Sequence, residues 1–166
     1  MRVGKDIWKE CIPCKGLCCK WETVLLTQGE IDRIAKKVGK KDFYKKKKKY
    51  WVLKQDKDGL CIFYNRKRHR CNIHKVRPFD CEVFPFDIEY YKGRLIWFLW
   101  TFCPVVKKQK LSKKKFDLFL NNIELFESKI LKEFTEKELI KYSTFYDPNL
   151  EEGKTWKIIR DVKLLK

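Results

Sequence analysis

The sequence predicts an α+β fold: a small mixed domain with short antiparallel hairpins, a cysteine-rich metal-binding loop and packed amphipathic helices. Three observations lead there. Short apolar runs bounded by turn signals recur between residues 50 and 100, the pattern of hairpin strands. Apolar residues at helical spacing occupy one stretch before those runs and a longer one after them. Eight cysteines open in a dense knot and return one at a time, which asks for loops that bring distant thiols together.

A chain of 166 residues can bury a core without cross-links and is expected to form one domain over 1–166. Within it, a metal-binding core spans about 8–106, and a helical segment with a tail fills 107–166. An aromatic content of 15% excludes a disordered chain. Lys+Arg 40 against Asp+Glu 22 gives a net charge of +18, a field that attracts RNA, DNA, anionic lipid or an acidic protein. Lysine is also spread along the whole chain, with alanine only at Ala35, a profile that genome composition or thermophily produces without any partner.

Met1 to Glu10 alternates charged and apolar residues and does not read as a signal peptide. The most apolar run, Leu95 to Val106, is too short to span a bilayer and is interrupted by Thr101 and Pro104. The expected location is cytoplasmic, with no membrane partner. There thiols stay reduced, and grouped cysteines read as metal ligands or redox groups.

Taken in order, Asp6 to Glu22 carries the knot Cys11-Ile12-Pro13-Cys14-Lys15-Gly16-Leu17-Cys18-Cys19 in a compact loop. Pro13 and Gly16 oppose a regular helix and turn backbone amides toward the sulfurs. Thr27-Gln28-Gly29-Glu30 has the capping-box form, Ile31, Ile34, Ala35 and Val38 follow at helical spacing, and Gly39 stops the helix. Lys36 to Lys49 holds nine lysines and a single acid, Asp42, and reads as a solvated face or loop. Tyr50 to Leu53 is a strand, Asp56-Lys57-Asp58-Gly59 a turn, and Leu60 to Tyr64 the return strand carrying Cys61. Asn65 to Arg70 is a basic loop. Arg77-Pro78 breaks the chain before Cys81, and Pro85 breaks it again.

Ile88 to Tyr91, Lys92-Gly93 and Leu95 to Trp100 form a hairpin with a two-residue turn. Ser112 caps the longest helix, with Phe116, Phe119, Leu120, Ile123, Phe126, Ile130 and Phe134 along one stripe. Thr135 to Glu138 starts another short helix, Pro148 and Gly153 mark a turn, and Trp156, Ile158 and Ile159 suggest an edge strand.

The candidate ligands are Cys11, Cys14, Cys18, Cys19, Cys61, Cys71, Cys81 and Cys103. Thiolates at C-x2-C spacing converge on one ion because a tight turn points both sulfurs the same way, a geometry used by zinc and by iron–sulfur clusters. Adjacent Cys18 and Cys19 are expected to point to different sides, and so to serve two sites, to bind different irons of a cluster, or to leave one thiol as a spectator. Eight thiols suit two four-thiolate sites, or one cluster with further thiols. His74, at Cys71-x2-His74, is a possible further ligand, and a packed histidine is the plainer reading. Arg77 stands close enough in sequence to Cys71 and Cys81 either to favour thiolates or to pair with Asp80 or Glu82.

The knot, then Cys61, then Cys71-Asn72-Ile73-His74-Lys75-Val76-Arg77-Pro78-Phe79-Asp80-Cys81 with Phe84-Pro85, resembles the CxxCxxCC family of zinc- or iron-chelating domains, the YkgJ-like cysteine-cluster proteins. The family has the N-terminal knot, a C-x-I/V-Y-x2-R-P-x2-C segment and a final downstream cysteine. The likeness runs from about Cys11 to Cys103, over half the chain. Two departures stand out: His74 replaces the usual tyrosine, which argues against a ligand role, and three residues rather than two precede the double cysteine.

The resemblance implies metal chelation without fixing a reaction. A related group, the flagellin lysine N-methylases, shares such a cluster and uses S-adenosylmethionine, which makes that cofactor a further expectation. The chain has neither a G-x-G-x-x-G loop nor the C-x3-C-x2-C spacing of radical enzymes of that cofactor. The leading expectation is therefore a cytoplasmic protein with a 4Fe–4S iron–sulfur cluster. The alternatives are a zinc-stabilised module binding RNA or DNA through Lys45–Lys49, Arg66–Arg70 and Lys107–Lys115, and a cluster-dependent enzyme modifying protein lysine or RNA.

Overall fold

Helix α1 (Gln28–Val38) forms where the hydroxyl–carboxylate pair predicts it. The computed structural model describes residues 15–20, 24–40, 42–47, 50–107, 113–143 and 156–163. Both halves of the capping box are made: Glu30 N donates to Thr27 Oγ1 at 3.1 Å, and Thr27 N donates to Glu30 Oε2 at 3.0 Å. Gly39 ends the helix at φ 73°, a left-handed conformation that glycine adopts without a Cβ penalty, and donates to the Ala35 carbonyl at 2.9 Å.

The chain divides into two compact units, Arg2–Glu82 and Val83–Lys166. In the first, α1 accompanies a three-stranded antiparallel sheet of β1 (Leu25–Leu26), β2 (Tyr44–Lys47) and β3 (Tyr50–Leu53), in the order β1-β3-β2. Val24, Leu26, Ile31, Ile34, Phe43, Leu53, Phe63 and Ile73 make its buried core. The lysine-rich stretch read as a solvated face or loop contains strand β2. Buried Phe43 anchors its start, Tyr44 and Lys45 pair with Leu53 and Val52, and Lys45, Lys46 and Lys47 stay exposed.

Three short elements follow. β4 (Tyr64–Asn65) and β5 (Arg70–Cys71) form a small hairpin around the basic loop, and α2 (Phe79–Val83) carries Cys81. The expected return strand over Leu60 to Tyr64 is not formed. Cys61 makes one lone ladder pair with Gln55, and the chain then turns, Tyr64 N donating to the Cys61 carbonyl at 2.8 Å.

The second unit is built on β6 (Phe86–Tyr91), β7 (Arg94–Trp100) and β8 (Trp156–Asp161), in the order β6-β7-β8. The β6–β7 turn has Lys92 at φ 48° and Gly93 at φ 86°, the mirror-image geometry that matches strand twist. All residues of Leu95 to Trp100 are buried. Helices α3 (Pro104–Lys107), α4 (Lys113–Glu133) and α5 (Glu136–Ser143) complete it. Ile123, Phe126 and Ile130 of the predicted α4 stripe are buried, whereas Ser112, Pro148 and Gly153 lie outside the described residues.

Glu127 ties α4 to the sheet. It is 3% exposed and accepts from Trp97 Nε1 at 2.9 Å, Arg160 at 3.0 Å and Lys163 N at 3.1 Å. A buried carboxylate is tolerable only with such donors. Thr135 caps α5, accepting from Glu138 N at 3.2 Å. The protein is α+β, and among the described residues no helix is long and apolar enough to cross a membrane.

Candidate metal centre

The described end of the knot is a tight turn. Lys15 and Gly16 both have positive φ, a 3-10 turn covers Leu17–Lys20, and Cys19 N donates to the Gly16 carbonyl at 2.8 Å. Gly16 is required twice over. Its φ is 73°, and a Cβ there would stand 2.3 Å from Tyr64 Cε2. Tyr64 is held in turn by its hydroxyl, 3.0 Å from His69 Nδ1.

This turn is joined directly to the next cysteine. Cys61 N donates to the Cys19 carbonyl at 2.8 Å, which explains why the chain leaves the expected strand at that point. Cys61, Cys71 and Cys81 all pack against the apolar core of the first unit.

Helix α1 holds the segment between Cys71 and Cys81. The second oxygen of Glu30 accepts from Phe79 N at 2.6 Å, so one carboxylate closes the start of α1 and fixes the start of α2. Arg33 donates to the Arg77 carbonyl at 3.2 Å. From the sheet side, Asp80 Oδ2 accepts from Leu25 N at 3.1 Å. Three long-range contacts thus place the turn of α2 that bears Cys81.

Cys18, Cys19, Cys61, Cys71 and Cys81 lie within electrostatic reach of one another. Cys18 is held below the usual thiol range, first by its hydrogen bond with Cys19 and further by backbone amides and the Arg77 charge. Cys19 is raised, by that same hydrogen bond and then by burial. Burial pushes Cys61 up to about 12, and it raises Cys71 and, most strongly, Cys81, where the Asp80 carboxylate adds to the effect. Backbone amides oppose this at Cys61, from Phe63 and Tyr64, and at Cys71, from Ile73. Half-buried thiols that resist ionising, yet receive N–H groups that favour the thiolate, suit a bound cation that supplies the missing charge. The chemistry of these donors, though not the spacing of the described ones alone, therefore fits a metal.

Cys18 and Cys19 sit together on the 3-10 turn, where successive side chains diverge by less than the half-turn of an extended chain. Cys11 and Cys14 lie outside the described residues. Cys103 is buried in the second unit. None of the six described cysteines is in a disulfide. Among the described residues, no three Cys, His, Asp or Glu groups converge closely enough to hold an ion by themselves.

Arg77 donates to His74 Nε2, which occupies that nitrogen's lone pair, and also to the Glu82 carbonyl at 3.4 Å. Sequence reasoning missed Glu30, Arg33 and Asp80 as positioning residues. The capping box marks Glu30, but only for its local bond.

A protein of Methanocaldococcus jannaschii, named Uncharacterized protein MJ0661, is 33% identical over 100 residues, covering 54% of this chain and 53% of its own. The chain thus spans about half the length of that curated relative. No solved structure matches significantly. The CxxCxxCC family model, described as "Putative zinc- or iron-chelating domain", matches residues 10–115, and the chain accordingly belongs to that family as a cysteine-based metal-binding protein.

Proposed function

We propose that the metal is an iron–sulfur cluster of the 4Fe–4S type, held by ligands drawn from Cys11, Cys14, Cys18, Cys19, Cys61, Cys71 and Cys81. The observation that carries this reading is the number of thiols in one neighbourhood. Five described cysteines from four separate segments sense one another's charge, whereas a single structural zinc takes four ligands. An all-sulfur donor set is the one that clusters use. Backbone N–H groups at Cys18, Cys61 and Cys71 support the same reading, because hydrogen bonds to sulfur set a cluster's potential.

When bound, such a cluster supplies one-electron redox chemistry. The chain's own part is to pack the sulfurs against the core, direct amides at them and keep Arg77 close. In a cytoplasmic setting the protein would serve electron transfer, or a modifying reaction if one iron lacks a cysteine. Titration of the loaded protein with S-adenosylmethionine, read by electron paramagnetic resonance, tests that extension.

The reading is tested by serine replacement at each cysteine, followed by anaerobic reconstitution and visible absorption. Loss of the charge-transfer band in variants of Cys18, Cys61, Cys71 or Cys81 supports it. A full set of variants that bind zinc normally and never take up sulfide overturns it.

A further inference from the structure

We propose that the rim of the first sheet, Trp51 with Lys45, Lys46 and Lys47, binds single-stranded nucleic acid. Trp51 lies on the central strand β3 and is 38% exposed, unusual for the largest apolar side chain. Its ring is not loose. Tyr44 meets it edge-on with centroids 5.1 Å apart, and Lys46 Nζ stands 5.8 Å from its centroid.

Strand register explains the arrangement. Lys46 is directly opposite Trp51 in the β2–β3 pair, so the two side chains share one face. Lys45 and Lys47, opposite Val52 and Tyr50, project from the other face of the same edge strand. One exposed cation thus stands on the indole's own face, and two more line the same edge strand from the opposite face.

Lysines on an edge strand have a common explanation, which is to block pairing with another chain. That purpose does not call for an exposed tryptophan fixed by a tyrosine. The basic group that follows β3 is neutralised: Lys54 pairs with Asp42. Among the described residues no carboxylate pairs with Lys45, Lys46 or Lys47. An aromatic platform with unneutralised cations matches a single strand, whose unpaired bases stack while its phosphates meet the lysines. A duplex offers phosphates without a base face, and an acidic protein offers charge without a stacking partner. In the bound state a base takes the indole face that Lys46 now covers, and Lys46 turns to the adjoining phosphate.

The test uses the full, metal-loaded chain and a fluorescent uridine oligonucleotide of about 12 residues. Anisotropy is recorded across salt concentrations, with duplex RNA and polyglutamate as competitors. Replacing Lys45, Lys46 and Lys47 with glutamine should lower the salt slope by about 2. Trp51→Ala should weaken binding about ten-fold at fixed salt, and Trp51→Phe should restore most of it. The triple change Lys67→Gln, Arg68→Gln and Arg70→Gln removes equal charge elsewhere, and melting and metal content are matched for every variant.

The proposal is overturned if the oligonucleotide shows no salt-dependent binding, or if Trp51→Ala is without effect. It is also overturned if the Lys67 set lowers the slope as much as the Lys45 set. Polyglutamate binding with the same Trp51 dependence would reassign the surface to an acidic protein.

Discussion

Replacing Glu30 with alanine tests whether α1 positions the metal site. The carboxylate is 3% exposed and accepts two backbone N–H groups, from Thr27 at 3.0 Å and Phe79 at 2.6 Å. Hydrogen bonds to a charged acceptor contribute about 1.5–3 kcal/mol each, and a donor stranded by truncation loses a similar amount. Removing the carboxylate also removes the cost of burying it, which Arg33 at 3.8 Å already reduces. The net loss is about 3 kcal/mol. In a unit of about 80 residues, that lowers the melting temperature by roughly 15 °C.

Because Phe79 opens the helix that carries Cys81, metal affinity should fall along with stability. Urea unfolding of the metal-loaded protein gives the first quantity and chelator competition the second. Glu30→Gln, which keeps one acceptor oxygen, should lose about half as much. Asp32→Ala is the control: its carboxylate meets Gln28 at 3.0 Å in an exposed position and should matter by less than about 0.5 kcal/mol. Equal behaviour of the Glu30→Ala and Asp32→Ala variants would refute the reasoning. Loss of stability with unchanged metal affinity would refute the positioning role alone.

Three further outcomes are expected. Gly16→Ala should cost about 2 kcal/mol and weaken metal binding, through its positive φ and the clash with Tyr64; adding Tyr64→Ala should recover the clash but not the backbone strain. Cys14→Ser and Cys81→Ser should abolish metal binding and lower the melting temperature, since binding and folding are coupled at such sites, whereas His74→Ala should keep the metal because Arg77 already occupies its Nε2. Apparent metal affinity should drop as pH falls from 8 to 6. Cys61, Cys71 and Cys81 hold their protons above the ordinary thiol range, so each must release one on binding, at about ten-fold per ligand per pH unit. A flat profile in chelator competition would contradict their role as ligands.

What could be read from the sequence is what local chemistry decides. The ends of α1 follow from Thr27, Glu30 and Gly39, all in the helix or directly flanking it, and the β6–β7 turn follows from Lys92-Gly93. The thiol group was legible as an inventory, because eight cysteines at metal-ligand spacings have few other uses. Its layout was not. Cys61 leaves its expected strand to reach the Cys19 carbonyl, a partner distant in sequence. Strand β2 was concealed by its lysines, whose composition suggests solvent while Phe43 and the pairing with β3 decide the backbone. The second bond of Glu30 spans 49 positions, and no local pattern announces it.

Anaerobic purification, followed by iron, zinc and sulfide analysis with a visible spectrum, tests the proposed cluster most directly. The account predicts about four irons and about four sulfides per chain, with a brown colour that bleaches on reduction. Zinc without sulfide would contradict it and leave a structural zinc module in its place.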